Sequence, residues 1–292
     1  DALEAAQEGE ETTISLLQDI YHDQSIVLEN KRITFELNGF TLDVYSNDTD
    51  IPALDVTNGG CVYLSGGGEL NVKGKNGGLY ISSETTPSAV AVTSVEATEP
   101  GGYAALADSK AFIDILGDVV SVSKGGDGAI ASNGAFIKVA GDVIATGIGV
   151  EADGARIEVA GSISTGELGA KVLNGGAVII DGEIRAPRYI EVDDASKVMA
   201  DGVPDPEEPG YLKYGGADSA VWIKMTTYAL TVLNGTGSGN YVKDATVTIT
   251  ADAAPDGQKF KEWMGADDLE FTEGSNTAAT AKFKMPAKAV TL

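Results

Sequence analysis

The sequence predicts an all-β chain, a parallel β-helix followed by a small β-rich repeat domain, and three observations predict it. Blocks of apolar alternation recur along the chain and close on Gly117, Gly141, Gly161 and Gly182, the last two intervals being 20 and 21 residues. Within each block apolar and polar residues alternate, which is the period of a strand and not of a helix. A unit this short cannot bury its own apolar face, so successive copies must stack on one another. A sandwich would give no fixed period, and propeller blades repeat near 40 residues.

Residues 2–7, ALEAAQ, are helix formers ahead of Gly9 and are expected to cap the first coil. The strand pattern opens at Thr12. Copies of the block lie at 32–39, 58–66, 110–117, 133–141, 153–161 and 174–182. Superposing them on their closing glycines puts Phe35, Val62, Ile113, Ile137, Ile157 and Val178 in one column. Leu37, Leu64, Ile115, Val139, Val159 and Ile180 fall in a second, and both columns are apolar throughout. Glu36, Tyr63, Asp114, Lys138, Glu158 and Ile179 lie between them and point outward, with Asp114, Lys138 and Glu158 about 4.8 Å apart as a charge ladder. A second strand follows each glycine, at 118–120, 142–144, 162–164 and 183–185, and the glycine itself sits at a bend too tight for a side chain. The stretch 66–117, including SAVAVTSVEATEPGG, holds one or two coils in a register the pattern leaves open. VPDPEEPG at 203–210 brings three prolines and three acids, so the array is expected to stop near Asp201. The expected domains are therefore 1–202 for the β-helix, 203–227 for a linker or cap, and 228–292 for the small β module.

The 292 residues carry 44 acids against 20 bases, a net charge of -24, which excludes a nucleic-acid partner and docking on anionic membranes. Residues 1–227 hold 36 acids and 14 bases, so the acidity belongs to the β-helix. No apolar run is long enough to span a bilayer, and no membrane insertion is expected of this segment. DALEAAQEGE lacks the basic and apolar regions of a signal peptide. Cys61 is the only cysteine and His22 the only histidine. There is thus no disulfide framework or thiolate cluster, and any histidine-assisted nucleophile would have to be built on His22. Cys61 reads as a small hydrophobe.

Two stretches carry family resemblances. Ile14 to Ile20, ISLLQDI, and Ile33 to Leu42, ITFELNGFTL, resemble the opening coils of pectate-lyase-like right-handed β-helices of Gram-positive surface proteins, over roughly residues 1–200. That resemblance implies a right-handed solenoid in an exported, secreted or cell-wall-associated protein. From Tyr228, YALTVLNGTGSGNYVKDATVTITADAAPDGQKFKEWMG and the closing Phe283-Lys284-Met285-Pro286-Ala287 resemble the divergent internalin-type B-repeat. Lys243-Asp244 stands where that module usually has glycine. The resemblance implies a stalk or spacer unit without catalysis.

Candidate chemistry is sparse. Polysaccharide-cleaving β-helices need acids, a cation and a basic group on one outer groove, because proton abstraction beside a uronate builds negative charge. Glu183, Arg185, Arg188, Asp193 and Asp194 form the best mixed cluster for such a catalytic role. Asn47, Asp48 and Asp50 could donate oxygens to calcium, though no cofactor is otherwise required. Tyr211, Tyr214 and Trp222 could stack on sugars or seal the last coil, and Phe260 and Trp263 read as anchors of the C-terminal core. The preferred reading is a monomeric, non-catalytic bacterial cell-surface protein: an adhesin or glycan-binding β-helix on a repeat spacer, with glycans or host and cell-wall components as partners. The alternatives are a polysaccharide lyase or glycoside hydrolase, and a purely structural spacer.

Overall fold

The computed structural model describes residues 2–292 and divides into two compact units, one ending at Lys224 and the other spanning Met225–Leu292. The first is a β-solenoid of eight turns, each contributing one strand to each of three parallel sheets. In one turn, Phe136–Val139 lies on face 1, Val143–Ala145 on face 2 and Ile148–Asp153 on face 3. The next turn lays Arg156–Val159, Ile163–Thr165 and Leu168–Leu173 directly on them.

Stacking converts the apolar columns into the core. On face 1, Ile113, Ile137, Ile157 and Val178 are in register and fully buried, as are Ile115, Val139, Val159 and Ile180 beside them. Asp114, Lys138 and Glu158 share the outward column between. The earliest copy departs from the superposition by two residues: Ile33 pairs with Val62 and Phe35 with Leu64, while Leu37 belongs to the corner, its N–H donating to Ser65 O at 2.8 Å. The cause is a wider corner, in which Gly39 N donates to Gly67 O and not to Gly66. A two-residue slip preserves parity, so the inward face survives it. The stretch 66–117 contains one whole turn that the block pattern does not resolve, with strands Ala89–Val92, Ser94–Ala97 and Tyr103–Asp108. Its Val90 joins Val62 and Ile113 in the core column.

Corners repeat as faithfully as strands. Between faces 1 and 2, Gly161 N donates to Gly141 O at 3.1 Å, and a Cβ at Gly161 would meet that same carbonyl oxygen. The acid one position later makes a ladder of its own: Asp118 Oδ1 accepts from Asp142 N at 2.8 Å and Asp142 Oδ1 from Ser162 N at 2.7 Å. Between faces 3 and 1, Asn133 and Asn174 adopt left-handed φ of 53° and 51°, a conformation asparagine tolerates. Their amides donate to Asp108 and Asp153 of the preceding turn at 2.7 and 2.6 Å.

The ends are closed differently. Helix Ala2–Ala5 covers the first turn, with Leu3 packed on the core, Ala6 buried, and Gly9 N donating to Asn30 O at 2.7 Å. At the far end the segment expected as linker or cap adds to face 1. Ala220–Lys224 pairs parallel with Ala177–Ile180, placing Val221 on Val178 and Ile223 on Ile180. Tyr211–Gly215 then pairs antiparallel with it and Val203–Pro204 with that strand, so parallel stacking ends at Lys224, beyond Asp201. Pro206 and Pro209 fall outside the ladder, in the loop between Val203–Pro204 and Tyr211–Gly215, while Pro204 sits at the outermost edge strand, where proline is tolerated.

The second unit is mainly antiparallel β, with one parallel pair, Leu230–Thr231 on Val290–Thr291, and its sheets of three and four strands surround Leu230, Val247, Ile249, Trp263, Phe283 and Met285. Trp263 is buried and donates from Nε1 to Ala278 O at 3.0 Å; Phe260 tilts against it with ring centres 5.1 Å apart. Asp244, at the position where the B-repeat pattern has glycine, takes φ of 64°.

Replacing Gly161 by alanine is expected to destabilise the solenoid by about 1–3 kcal/mol through overpacking. Gly216→Ala, where nothing lies within 4 Å of the added Cβ, is expected to be near neutral. Urea midpoints of the two variants check this.

Candidate functional site

The first four turns shape face 2 into an open groove. Its strands are Ile20–His22, Thr41–Ser46, Glu69–Gly74 and Ser94–Ala97. Leu42, Val44, Leu70, Val72, Val95 and Ala97 point into the core, so the alternate residues must point out. Two outward columns result: Tyr21, Asp43, Asn71 and Ser94 stand in register, and Tyr45, Lys73 and Glu96 stand in register beside them.

These side chains are linked along the stack. Ser94 Oγ donates to Asn71 Oδ1 at 2.7 Å, and Asn71 Nδ2 donates to Asp43 Oδ1 at 3.0 Å and to Glu69 Oε2 at 3.2 Å. Lys73 Nζ lies 2.8 Å from Glu96 Oε1. Tyr21 and Tyr45 stack with ring centres 6.3 Å apart at 25°, and Tyr21 is 67% exposed. The cleft they line encloses about 500 Å³. The arrangement presents flat apolar rings beside fixed hydrogen-bonding groups, the combination that orients a polyhydroxylated ligand. Sequence reasoning missed this face. Its signal was Asp43-Val44-Tyr45, Asn71-Val72-Lys73 and Ser94-Val95-Glu96, three polar–valine–polar triplets on successive turns.

The five candidates of the mixed cluster lie on different surfaces. Glu183 and Arg185 pair at 3.0 Å at the end of face 2. Arg188 is held on face 3 by Glu167 at 2.8 Å and Glu191 at 3.1 Å. Asp193 and Asp194 form a left-handed corner, where Asp193 Oδ1 accepts from Ser219 Oγ at 2.8 Å. The calcium candidates are engaged locally: Asp48 Oδ1 accepts from Asp50 N and Ile51 N, which hold its carboxyl below the usual carboxylate range, and Asn47 Oδ1 accepts from Tyr45 OH at 2.8 Å. Among the described residues no three His, Cys, Asp or Glu side chains form a metal-ligand group. Cys61 is buried and His22 is in register with Val44 on the first turn.

Tyr211, Tyr214 and Trp222 lie on the strands that close the solenoid. Tyr214 is buried, meets Tyr189 edge-on at 5.7 Å, and donates to Met199 O at 3.1 Å. Trp222 donates from Nε1 to Asp205 Oδ2 at 2.7 Å, with Lys213 5.0 Å from its ring. Tyr211 donates to Asp181, which Lys224 also contacts at 3.0 Å. Burial pushes the Asp181 carboxyl up, but the Tyr211 hydroxyl and the Lys224 ammonium outweigh it and hold the group below its ordinary value. A depressed carboxyl contributes stability above its unfolded pKa and loses it as pH falls through the folded value. Tyr211→Phe is therefore expected to lose less stability than the parent between pH 7 and pH 3, as read from urea midpoints at the two pH values.

Among the described residues no helix is long and apolar enough to cross a membrane. No curated protein and no solved structure matches the chain. Residues 227–292, the second unit almost to the residue, match the family model of the divergent InlB B-repeat domain, a family typical of bacterial surface proteins.

Proposed function

We propose that the chain is a non-catalytic surface protein that binds glycans through the face 2 groove of its β-solenoid, with the B-repeat unit serving as a spacer. The observation that carries this reading is the stacked pair Tyr21 and Tyr45 beside the hydrogen-bonded column Asp43, Asn71 and Ser94. Pyranose rings offer an apolar C–H face that packs on an aromatic ring and equatorial hydroxyls that need oriented partners. The groove supplies both from a rigid scaffold, so little side-chain entropy is lost on binding. The B-repeat match supports display at a bacterial surface, and an adhesin is the biological form such a protein would take.

The test is a glycan array probed with the full chain, with and without calcium, followed by a product assay on every hit. Binding without turnover is expected. Tyr21→Ala and Tyr45→Ala are each expected to weaken binding about tenfold, or about 1.4 kcal/mol, while leaving the melting temperature nearly unchanged because both rings stand outside the core. Cleavage of a bound polysaccharide at an enzymatic rate would move the assignment to a carbohydrate-active enzyme. Absence of binding to any glycan would leave the structural spacer.

A further inference from the structure

The charge inventory of the groove goes beyond glycan binding to the class of glycan. Among the described residues lining it, Lys73 is the one base, and its ammonium lies 2.8 Å from Glu96 on the next turn. The next lysine along that strand edge, Lys75, is matched in the same way by Glu99 at 3.1 Å. The remaining charges are carboxylates. The lining carboxylates are Asp43 and Glu96; Asp43 accepts one N–H of Asn71, whose other N–H goes to Glu69, and it keeps further lone pairs to accept from a ligand. Ionised carboxylates only accept hydrogen bonds, so these positions welcome ligand hydroxyls and repel ligand carboxylates. A uronate entering here would give up its hydration and find no unneutralised cation in return.

We infer that the Lys73–Glu96 pair is a specificity determinant that reserves the groove for uncharged glycans and excludes polyuronates. Glu96 does so by cancelling the single positive charge that would otherwise receive a ligand carboxylate. This inference rests on the glycan-binding reading of the same groove. It requires no reaction and no cofactor. Because both side chains of the pair remain partly open to solvent, removing its charge costs the fold little.

The experiment is calorimetric titration of the full chain and of Glu96→Gln with three probes: the β-linked tetrasaccharide of glucose, that of N-acetylglucosamine, and tetragalacturonate. The parent is expected to bind at least one neutral probe at least tenfold more tightly than tetragalacturonate. Glu96→Gln is expected to tighten tetragalacturonate binding about tenfold at low salt, with the gain abolished by 0.5 M sodium chloride, where exposed charges are screened. The gain should also vanish when Lys73→Gln is added to Glu96→Gln. Equal binding of neutral and acidic probes by the parent, or an unmoved ratio in Glu96→Gln, would overturn the inference while leaving glycan binding standing. If neither protein binds any probe, the glycan reading itself falls and takes this inference with it.

Discussion

Every feature of the solenoid depends on the backbone ladder that joins each turn to the next. A parallel β ladder fixes the spacing at about 4.8 Å and fixes the register, so each residue must tolerate a near-identical neighbour above and below. Isoleucine and valine satisfy this inside, where Ile113, Ile137 and Ile157 fill one column without a polar atom to satisfy. Glycine satisfies it at the corner, where Gly161 lies against the carbonyl of Gly141. Asparagine and aspartate satisfy it at the remaining bends, because a side chain that reaches one rung can close the hydrogen bonds that a bend leaves open. The core is therefore narrow, and its strength comes from repetition more than from volume.

The same constraint explains what could be read in the sequence and what could not. The copies from 110 to 182 announce themselves because the corner between faces 1 and 2 keeps one length from turn to turn, so a gapless superposition of strand and closing glycine puts Ile137 and Ile157 in the right column. Between Leu37 and Leu70 the corner widens through Asn38-Gly39 and Gly66-Gly67-Gly68, and there the superposition slips by two residues. Alternation is blind to a slip of two, so the inward face was readable and the register was not. The turn at 89–108 lacks the closing glycine that marks the turns on either side of it, Thr93 standing at that corner. The last strand, Ala220–Lys224, was hidden for a different reason: it returns to face 1 only after an excursion of proline-bearing chain, and no local pattern reveals a long-range partner.

Candidate site residues were harder to read because outward positions are free of the packing rule. Acids and bases gathered in sequence at 183–194 disperse in space, since consecutive strands of one turn belong to different faces. Residues 20 or more apart are neighbours instead. Tyr21, Asp43, Asn71 and Ser94 share a groove because they occupy equivalent positions on successive turns, and the informative comparison is between turns and not along them. Function on a solenoid is written down a column.

The closed face 1 at the far end, where Ala220–Lys224 is followed by antiparallel Tyr211–Gly215, gives the array a definite length. Inserting or deleting one in-register unit of about 20 residues would change the distance between the two caps by one rung, about 4.8 Å, and leave the remaining rungs unaltered. The solenoid is in that sense a ruler with discrete graduations. A solenoid built this way can change its reach by gaining or losing whole turns between the groove on the first four and the closure on the last.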